Sequence, residues 1–360
     1  MFTHKHYVPV LKWKQGEYQA LNRLDNAVKD NLTPLLEIPP VGYDFETGIE
    51  RESIDDHLDD FGRRLKAKWH NRPCFVDAKY VDSAVRMSDG RHFIETIFEH
   101  ARSERCRAIP VVGLSNDLPW LAATAAAIRA DARGVALRLT PLDFDRADLP
   151  REIRRVLTAL DIDYGDSDLI VDVEAPNFQP LTMFVQMIVT CVRTIPRLTR
   201  WRSFTITGTS YPATIAGLRS PFQEIPRLEW RMYQRLVNRL GTATRLPTFG
   251  DYAVAHPEPI ALNMRLVKPF AKLRYTSNDF WYIGKGTNVR DHGYSQYRQL
   301  CQTLMAHPCF DGRGSSAGDD YIADCAQGTA RTGNLTTWVW VSTNRHLTKV
   351  VNDLATFHVP

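Results

Sequence analysis

The sequence predicts an α/β protein built on a TIM-like (β/α)8 barrel, with a C-terminal α+β extension that caps the mouth of the barrel. Eight short apolar segments alternate with helical segments over about the first 265 residues, which is the pattern of parallel βαβ units. Each apolar segment ends in charged or small polar residues, and in a barrel the C-terminal strand ends build the site. After residue 265 this alternation of strands and helices ends, which indicates a second module.

The strands are short and strongly apolar. Cys74–Val76 and Leu169–Val171 are continuously apolar, as expected for strands covered on both faces. A doubly wound open sheet has the same local pattern, and the count of eight favours the barrel. The predicted strands are Tyr7–Leu11, Pro34–Ile38, Cys74–Ala78, Ile109–Gly113, Val135–Leu139, Leu169–Val173, Phe204–Thr207 and Pro247–Tyr252.

The segments between the strands have helical character. In the first of them, Tyr18, Leu21 and Leu24 recur near helical spacing. Two others open with proline, whose missing N–H costs nothing at a helix start. The predicted helices are Gln15–Asp30, Glu50–Trp69, His92–Arg102, Leu118–Ala130, Pro150–Leu160, Pro180–Ile195 and Glu224–Leu240.

The tail combines a hairpin with helices. Ser277-Asn278-Asp279 supplies turn residues between two β-rich runs. Since no linker rich in Pro, Gly or Ser precedes this region, we divide the chain into a barrel (1–265) and a cap (266–360) that packs on the barrel and closes its mouth. The predicted tail elements are strands Lys272–Thr276 and Phe280–Ile283, helices near Val289–Met305 and Tyr321–Gln327, a short strand Trp338–Ser342 and a helix from Asn344 to Ala355.

Composition excludes several classes of protein. The chain has 360 residues, 44% of them hydrophobic and 24% charged, which is ordinary for a globular protein. A net charge of +4 does not by itself indicate nucleic-acid binding. The longest apolar stretch, Phe184–Val192, is too short to span a membrane. The six cysteines are scattered without a CxxC pair, and the opening segment lacks the apolar core of a signal peptide. We therefore expect a cytoplasmic protein with reduced thiols.

Acidic residues at the strand ends are the first candidate site. Their carboxylates are hard oxygen ligands suited to Mg²⁺ or Mn²⁺. Asp172 and Glu174 are two residues apart, so on a strand they face the same way and can bind one metal or share a proton. We predict this pair as the metal site, although no histidine cluster supports it. The alternative is that the acids neutralise basic residues of the mouth. The predicted catalytic residues are Glu37, Asp77, Lys79, Asp172 and Glu174.

Basic and hydroxyl-bearing residues form the second candidate site. Arginine and lysine at strand ends suit a phosphate or carboxylate, with salt-bridged scaffolding as the alternative. Thr205–Pro212 follows the seventh strand, where barrels often hold phosphate, although an ordinary turn explains it as well. In the tail, Gly284–Gly286 places a lysine between two glycines. The predicted ligand-binding residues are Lys12, Lys14, Arg138, Thr207, Ser210, Asp251 and Lys285.

Several segments resemble a known family. They are YVPVLKWKQGEYQAL at Tyr7–Leu21, LTPLLEIPP at Leu32–Pro40, PTFGDYAVAHP at Pro247–Pro257, KLRYT at Lys272–Thr276 and TNRHLT at Thr343–Thr348. They are similar to the "beta protein" family, named for a phage-related protein. The resemblance covers nearly the whole chain. It implies a bacterial or phage-related protein, often encoded near mobile elements and phage-defence genes, but supplies no catalytic residue.

Two hypotheses of function follow. In the first, the barrel mouth binds a phosphate-bearing ligand, either a nucleotide or a nucleic-acid end, and a divalent metal such as Mg²⁺ or Mn²⁺ can assist its hydrolysis. In the second, the fold is a non-catalytic recognition module that senses a phage or host protein in defence. Fold alone does not choose between them. The sequence gives no indication of oligomeric state.

Overall fold

The computed structural model describes residues 2–44, 47, 49–215, 217–218, 221–241, 245–258 and 268–357. Numbered along the chain, the strands are β1 (Tyr7–Lys12), β2 (Leu35–Glu37), β3 (Tyr43–Asp44), β4 (Ile49–Glu50), β5 (Pro73–Asp77), β6 (Arg107–Val112), β7 (Val135–Leu139), β8 (Ser167–Asp172), β9 (Ser203–Thr207), β10 (Phe222–Pro226), β11 (Thr248–Asp251), β12 (Phe270–Thr276) and β13 (Phe280–Asn288).

Helices occupy most of the connections. They are α1 (Gln15–Asn22), α2 (Asn26–Lys29), α3 (Ile54–Asp59), α4 (Phe61–Trp69), α5 (Phe93–Ser103), α6 (Leu118–Asp131), α7 (Pro141–Phe144), α8 (Leu149–Ala159), α9 (Leu181–Thr194), α10 (Leu228–Leu240), α11 (Val289–His292), α12 (Gln296–Met305), α13 (Ala317–Gln327) and α14 (Leu335–Thr356). None of the helices in the described ranges is both long and apolar enough to cross a membrane.

Eight parallel strands form a closed barrel, in the order β1-β11-β9-β8-β7-β6-β5-β2, with β2 paired back to β1. All eight predicted strands are confirmed. Successive side chains of a strand alternate between the barrel interior and the surrounding helices. The interior core contains Val8, Val10, Phe75 and Ile170. Tyr7 belongs to the larger core between strands and helices.

The tail forms a second layer on the barrel. Strands β10, β13 and β12 make an antiparallel sheet, here called the C-terminal sheet. The predicted hairpin is confirmed. However, β10 comes from the connection between β9 and α10, so residues 222–226 of the predicted barrel segment pair with the tail. Helix α10 consequently begins at Leu228, after the position predicted for its start.

The last helix packs against the barrel itself. Asn344 Nδ2 of α14 donates to the Ala20 carbonyl of α1 (3.2 Å), and a side chain at Gly16 would collide with Val339. On the other side, Phe357 packs edge-on against Trp230 of α10 (5.9 Å between centroids). Helix α14 therefore lies between α1 and α10, where the helix following the eighth strand of a barrel belongs.

Two features of the tail differ from the prediction. Trp338–Ser342 is not a strand, because it lies inside α14, whose start is fixed by a capping box between Asn334 and Thr337. The predicted helix Val289–Met305 is divided into α11 and α12 at Gly293, which has a φ of 66°. A glycine in this left-handed region ends a helix at little cost.

Candidate functional site: a cavity between the barrel mouth and the C-terminal sheet

The strand ends bring opposite charges together inside the barrel. Asp77, Arg138 and Asp172 lie two residues beyond the interior residues Phe75, Ala136 and Ile170, so they also point inward. Because parallel strands end at the same edge, their side chains meet at the mouth. Each of the three is almost completely buried.

Arg138 is the centre of this group. Its Nε and Nη2 donate to Asp172 Oδ2 (3.0 and 2.6 Å), and its Nη1 donates to Glu37 Oε1 (2.8 Å) and Asp77 Oδ2 (2.6 Å). The hydroxyl of Tyr252 accepts from Nη2 (2.7 Å) and donates to Asp172 Oδ2 (2.6 Å). We call these five residues the Arg138 cluster.

Lys12 and Lys79 complete the charge balance. Lys12 Nζ donates to Glu37 Oε2, to the Tyr80 hydroxyl (2.6 Å) and to the Pro257 carbonyl (2.7 Å). Lys79 Nζ lies 3.2 Å from Glu37 Oε1. Three cations thus face the three carboxylates of the Arg138 cluster.

The pKa values of the Arg138 cluster reflect this balance. Burial on its own would raise the pKa of Glu37, but Arg138, Lys79 and Lys12 outweigh it and hold the pKa at about 2. Burial opposes the charge of Arg138, yet Tyr252 and the three carboxylates keep its pKa well above the ordinary value. The carboxylates of the cluster are therefore matched by neighbouring cations, which is the alternative that the sequence left open. Arg138 has no free charge for a ligand.

The proposed metal pair has a different geometry from the predicted one. Strand β8 ends at Asp172, and Glu174 has a left-handed φ of 58°, so the two side chains do not share a strand face. Asp172 Oδ1 accepts the Glu174 backbone N–H (2.8 Å), while Oδ2 is held by Arg138 and Tyr252. Within the described ranges no group of three or more His, Cys, Asp or Glu could hold a metal ion. A metal role for Asp172 and Glu174 gains no support from this geometry.

Three predicted ligand-binding residues make their contacts outside the Arg138 cluster. Asp251 points outward, where its carboxylate accepts from Tyr7 and pairs with His346 Nε2 of α14 (2.9 Å). The Ser210 hydroxyl accepts the Leu228 N–H at the start of α10 (2.9 Å). Lys285 lies on β13 with its Nζ 5.0 Å from the centroid of the Phe270 ring.

Thr207 is a fourth predicted ligand-binding residue outside the Arg138 cluster. It points into the barrel, is fully buried, and its hydroxyl has no hydrogen-bond partner among the described residues. Lys12 and Lys14 are the members of the predicted ligand-binding set that line an opening between the barrel mouth and the C-terminal sheet.

This opening is a cavity of about 470 Å³ between the barrel mouth and the C-terminal sheet. We call it the interface cavity. Its walls come from β1 and the start of α1, the segments after β2, β5, β9 and β11, strand β12, and helix α14. Its polar and aromatic lining consists of Lys12, Lys14, Glu17, Tyr80, Tyr211, Tyr252, His256, Glu258, Lys272, Arg274 and Thr343.

Strand β12 contributes an unusual pair of cations. Ala271, Leu273 and Tyr275 point into the core of the tail, so Lys272 and Arg274 face the cavity. In the described part of the chain neither forms a salt bridge, and Arg274 Nε is buried without a hydrogen-bond partner. Burial lowers the pKa of Lys272, and the charges of Arg274 and Lys285 lower it further.

Sequence reasoning missed these cations. Lys272 and Arg274 were part of a predicted strand, and the alternation of polar and apolar residues in that strand was the available signal. Only the structure shows that the polar face meets the barrel mouth. Glu17 and Tyr80 were also missed, because neither lies at a strand end.

The family profile for Beta protein matches residues 7–352. The chain belongs to the Beta protein family. The match includes the strands of the barrel, the C-terminal sheet and most of α14, so this member has its barrel and tail within one family unit. No curated protein matches the chain.

Among solved structures, this Beta protein family member is similar to barrel enzymes at low identity. A 3-hexulose-6-phosphate synthase from Salmonella typhimurium is 14% identical, with 68% of this chain and 87% of that chain covered and a TM-score of 0.35. An alanine racemase from Clostridium difficile 630, in complex with cycloserine, is 8% identical, with 76% of this chain and 59% of that chain covered and a TM-score of 0.36. Likenesses at this level carry no functional argument.

Proposed function

We propose that the protein binds a phosphate-bearing ligand in the interface cavity. The observation that carries this proposal is the polar face of β12, where Lys272 and Arg274 meet the cavity and form no direct salt bridge with an acid among the described residues.

Other groups around the cavity favour an anion as well. Lys14 is exposed at the start of α1 and adds a positive charge at the cavity, and the first turn of the same helix contains Glu17. Tyr211 lines the same cavity, and its buried hydroxyl lies beside the guanidinium of Arg274. We confine the proposal to binding, since the predicted catalytic acids Glu37, Asp77 and Asp172 are engaged with Arg138.

Removing the two cations of β12 should weaken anion binding strongly. For Lys272→Ala/Arg274→Ala we expect sulfate and phosphate affinity to fall by about a hundredfold or more, because hydrogen bonds to charged groups contribute about 1.5–3 kcal/mol each. Isothermal titration calorimetry would measure this. Arg151→Ala/Arg154→Ala removes the same charge from an exposed part of α8 and is the matched control. Equal affinities of the two double variants would contradict the proposal.

Anion affinity should also depend on pH through Glu17. Burial raises the pKa of Glu17 to about 7, against the pull of Lys14, Arg274 and Lys12. As pH rises from about 6 to about 8, Glu17 gains a negative charge beside the ligand, so sulfate affinity should fall. Sulfate does not titrate in this range. Glu17→Gln should flatten the profile, whereas an unchanged slope would contradict the assignment of the pH dependence to Glu17.

A biological setting in phage defence is part of the proposal, supported by the resemblance to a family often encoded near such genes. Phage challenge of cells that express the wild type or Lys272→Ala/Arg274→Ala would connect the cavity to that setting. Protection by the wild type and loss of protection in the variant is the expected result.

A further inference from the structure

The interface cavity is suited to one class of phosphate-bearing ligand. Resting on the proposed function, we infer that the ligand is a compact polyanion recognised by its charge, such as a small phosphorylated metabolite, and that no nucleobase is stacked in the site. The inference depends on the aromatic residues of the cavity, on its size and on its charge.

The tyrosine rings of the cavity offer little surface to a base. Lys12 Nζ and Lys79 Nζ lie 4.4 and 4.9 Å from the centroid of the Tyr80 ring. Tyr211 packs edge-on against Trp281 (5.2 Å between centroids) and is 5% exposed. Tyr252 belongs to the interior core of the barrel. Proteins that bind bases without sequence readout depend on exposed aromatic faces. Tyr211 and Tyr252 are buried, and Tyr80 is half-buried with two ammonium groups against its ring.

His256 is the one remaining ring among the described lining residues. It is half-buried, and its Nδ1 accepts the backbone N–H of Glu258 (3.4 Å). The carboxylate of Glu258 lines the same cavity, so a phosphorylated ligand stacked on His256 would lie near a negative charge. This position favours a polar or cationic group more than the phosphate end of a nucleotide.

Size and charge agree with a small polyanion. A cavity of about 470 Å³ is within the range of small-molecule sites, roughly 300–1,000 Å³, and is enclosed by both the barrel and the tail. Lys12, Lys14, Lys272 and Arg274 face it with Glu17 and Glu258. Lys12 is paired with Glu37, so the excess is one cation, which favours an anionic group such as a phosphate, whose charge at neutral pH is about −1.5 to −2.

The test compares ligands with and without a nucleoside. Calorimetry of the full chain with pyrophosphate, tripolyphosphate and ATP separates recognition of phosphate from recognition of a base. We expect tripolyphosphate to bind within about threefold of ATP, and Lys272→Ala/Arg274→Ala to weaken both equally. Binding of ATP, or of a 5′-phosphorylated oligonucleotide, about tenfold more tightly than tripolyphosphate would overturn the inference.

A second variant tests whether a base stacks on the imidazole ring of His256. His256→Ala should change the affinities for ATP and tripolyphosphate by the same factor, while a selective loss of ATP affinity would show that a base stacks there. If none of the phosphate compounds binds, the proposed function itself fails. Tighter binding of ATP leaves the proposed function intact and removes only the narrower ligand class.

Discussion

Replacement of Arg138 by methionine should lower the free energy of unfolding by about 3–5 kcal/mol, because removing one partner of a buried ion pair leaves uncompensated charge. In this protein three carboxylates would lose their common partner. Urea denaturation followed by tryptophan fluorescence measures the change. Arg146→Met is the matched control: Arg146 is partly exposed and pairs with Asp143, so its loss should cost about 1 kcal/mol or less.

The pH dependence of stability distinguishes this explanation from a simple packing defect. In the wild type the pKa of Glu37 is lowered to about 2. Its contribution is therefore present above the ordinary carboxyl pKa and is lost as pH falls towards 2. Without Arg138, burial favours the protonated acids, so acidification should narrow the stability difference between variant and wild type. A difference that stays constant with pH would mean that lost packing, not charge, causes the defect.

A charge placed in the C-terminal half of α14 should unfold the barrel. Val350 is completely buried in the core shared by strands and helices. We expect Val350→Asp to destabilise the protein by about 3–5 kcal/mol or more, since a buried charge without a partner is among the most damaging changes. Asn352→Asp, two residues away on the exposed side, should change stability by about 0.5 kcal/mol or less. Thermal unfolding measured by circular dichroism compares the two.

Truncation extends the same test. A fragment that ends at Pro269 lacks α14, which exposes the apolar residues that this helix covers and removes the partner of Asp251. We expect an insoluble or molten product. A soluble fragment 1–269 with a cooperative transition, or a Val350→Asp variant as stable as Asn352→Asp, would show that the tail is an appendage to an independent barrel.

The fold could be predicted because its signal is local. Each barrel strand is an apolar run of a few residues followed by polar ones, and the count of eight favours closure. The strand predicted at Trp338–Ser342 was wrong because a short apolar run has no periodicity that distinguishes a strand from a buried helix segment. The capping box of Asn334 and Thr337 starts a helix before this run, so the run lies inside α14.

The site could be predicted only in part. The alternation of strands and helices along the sequence predicts that Lys12 and Glu37 lie at the ends of adjacent barrel strands. It does not predict which charged side chains form ion pairs. Asp251 illustrates a second limit. Both faces of a barrel strand are apolar, so the sequence does not tell whether the strand-end residue points inward or toward the helices. The cations of β12 depend on contacts between distant segments, which no local pattern encodes.

The position of α14 has a consequence for synthesis of the chain. Asp251 at the end of the eighth strand and its partner His346 are 95 residues apart. At about 5–20 residues per second, a ribosome needs roughly 5–20 s to add them. During that interval the nascent barrel has all its strands but lacks the helix that covers β1 and β11. Folding is therefore expected to finish late, and the nascent chain should depend on chaperones more than a barrel whose eighth helix follows its eighth strand directly.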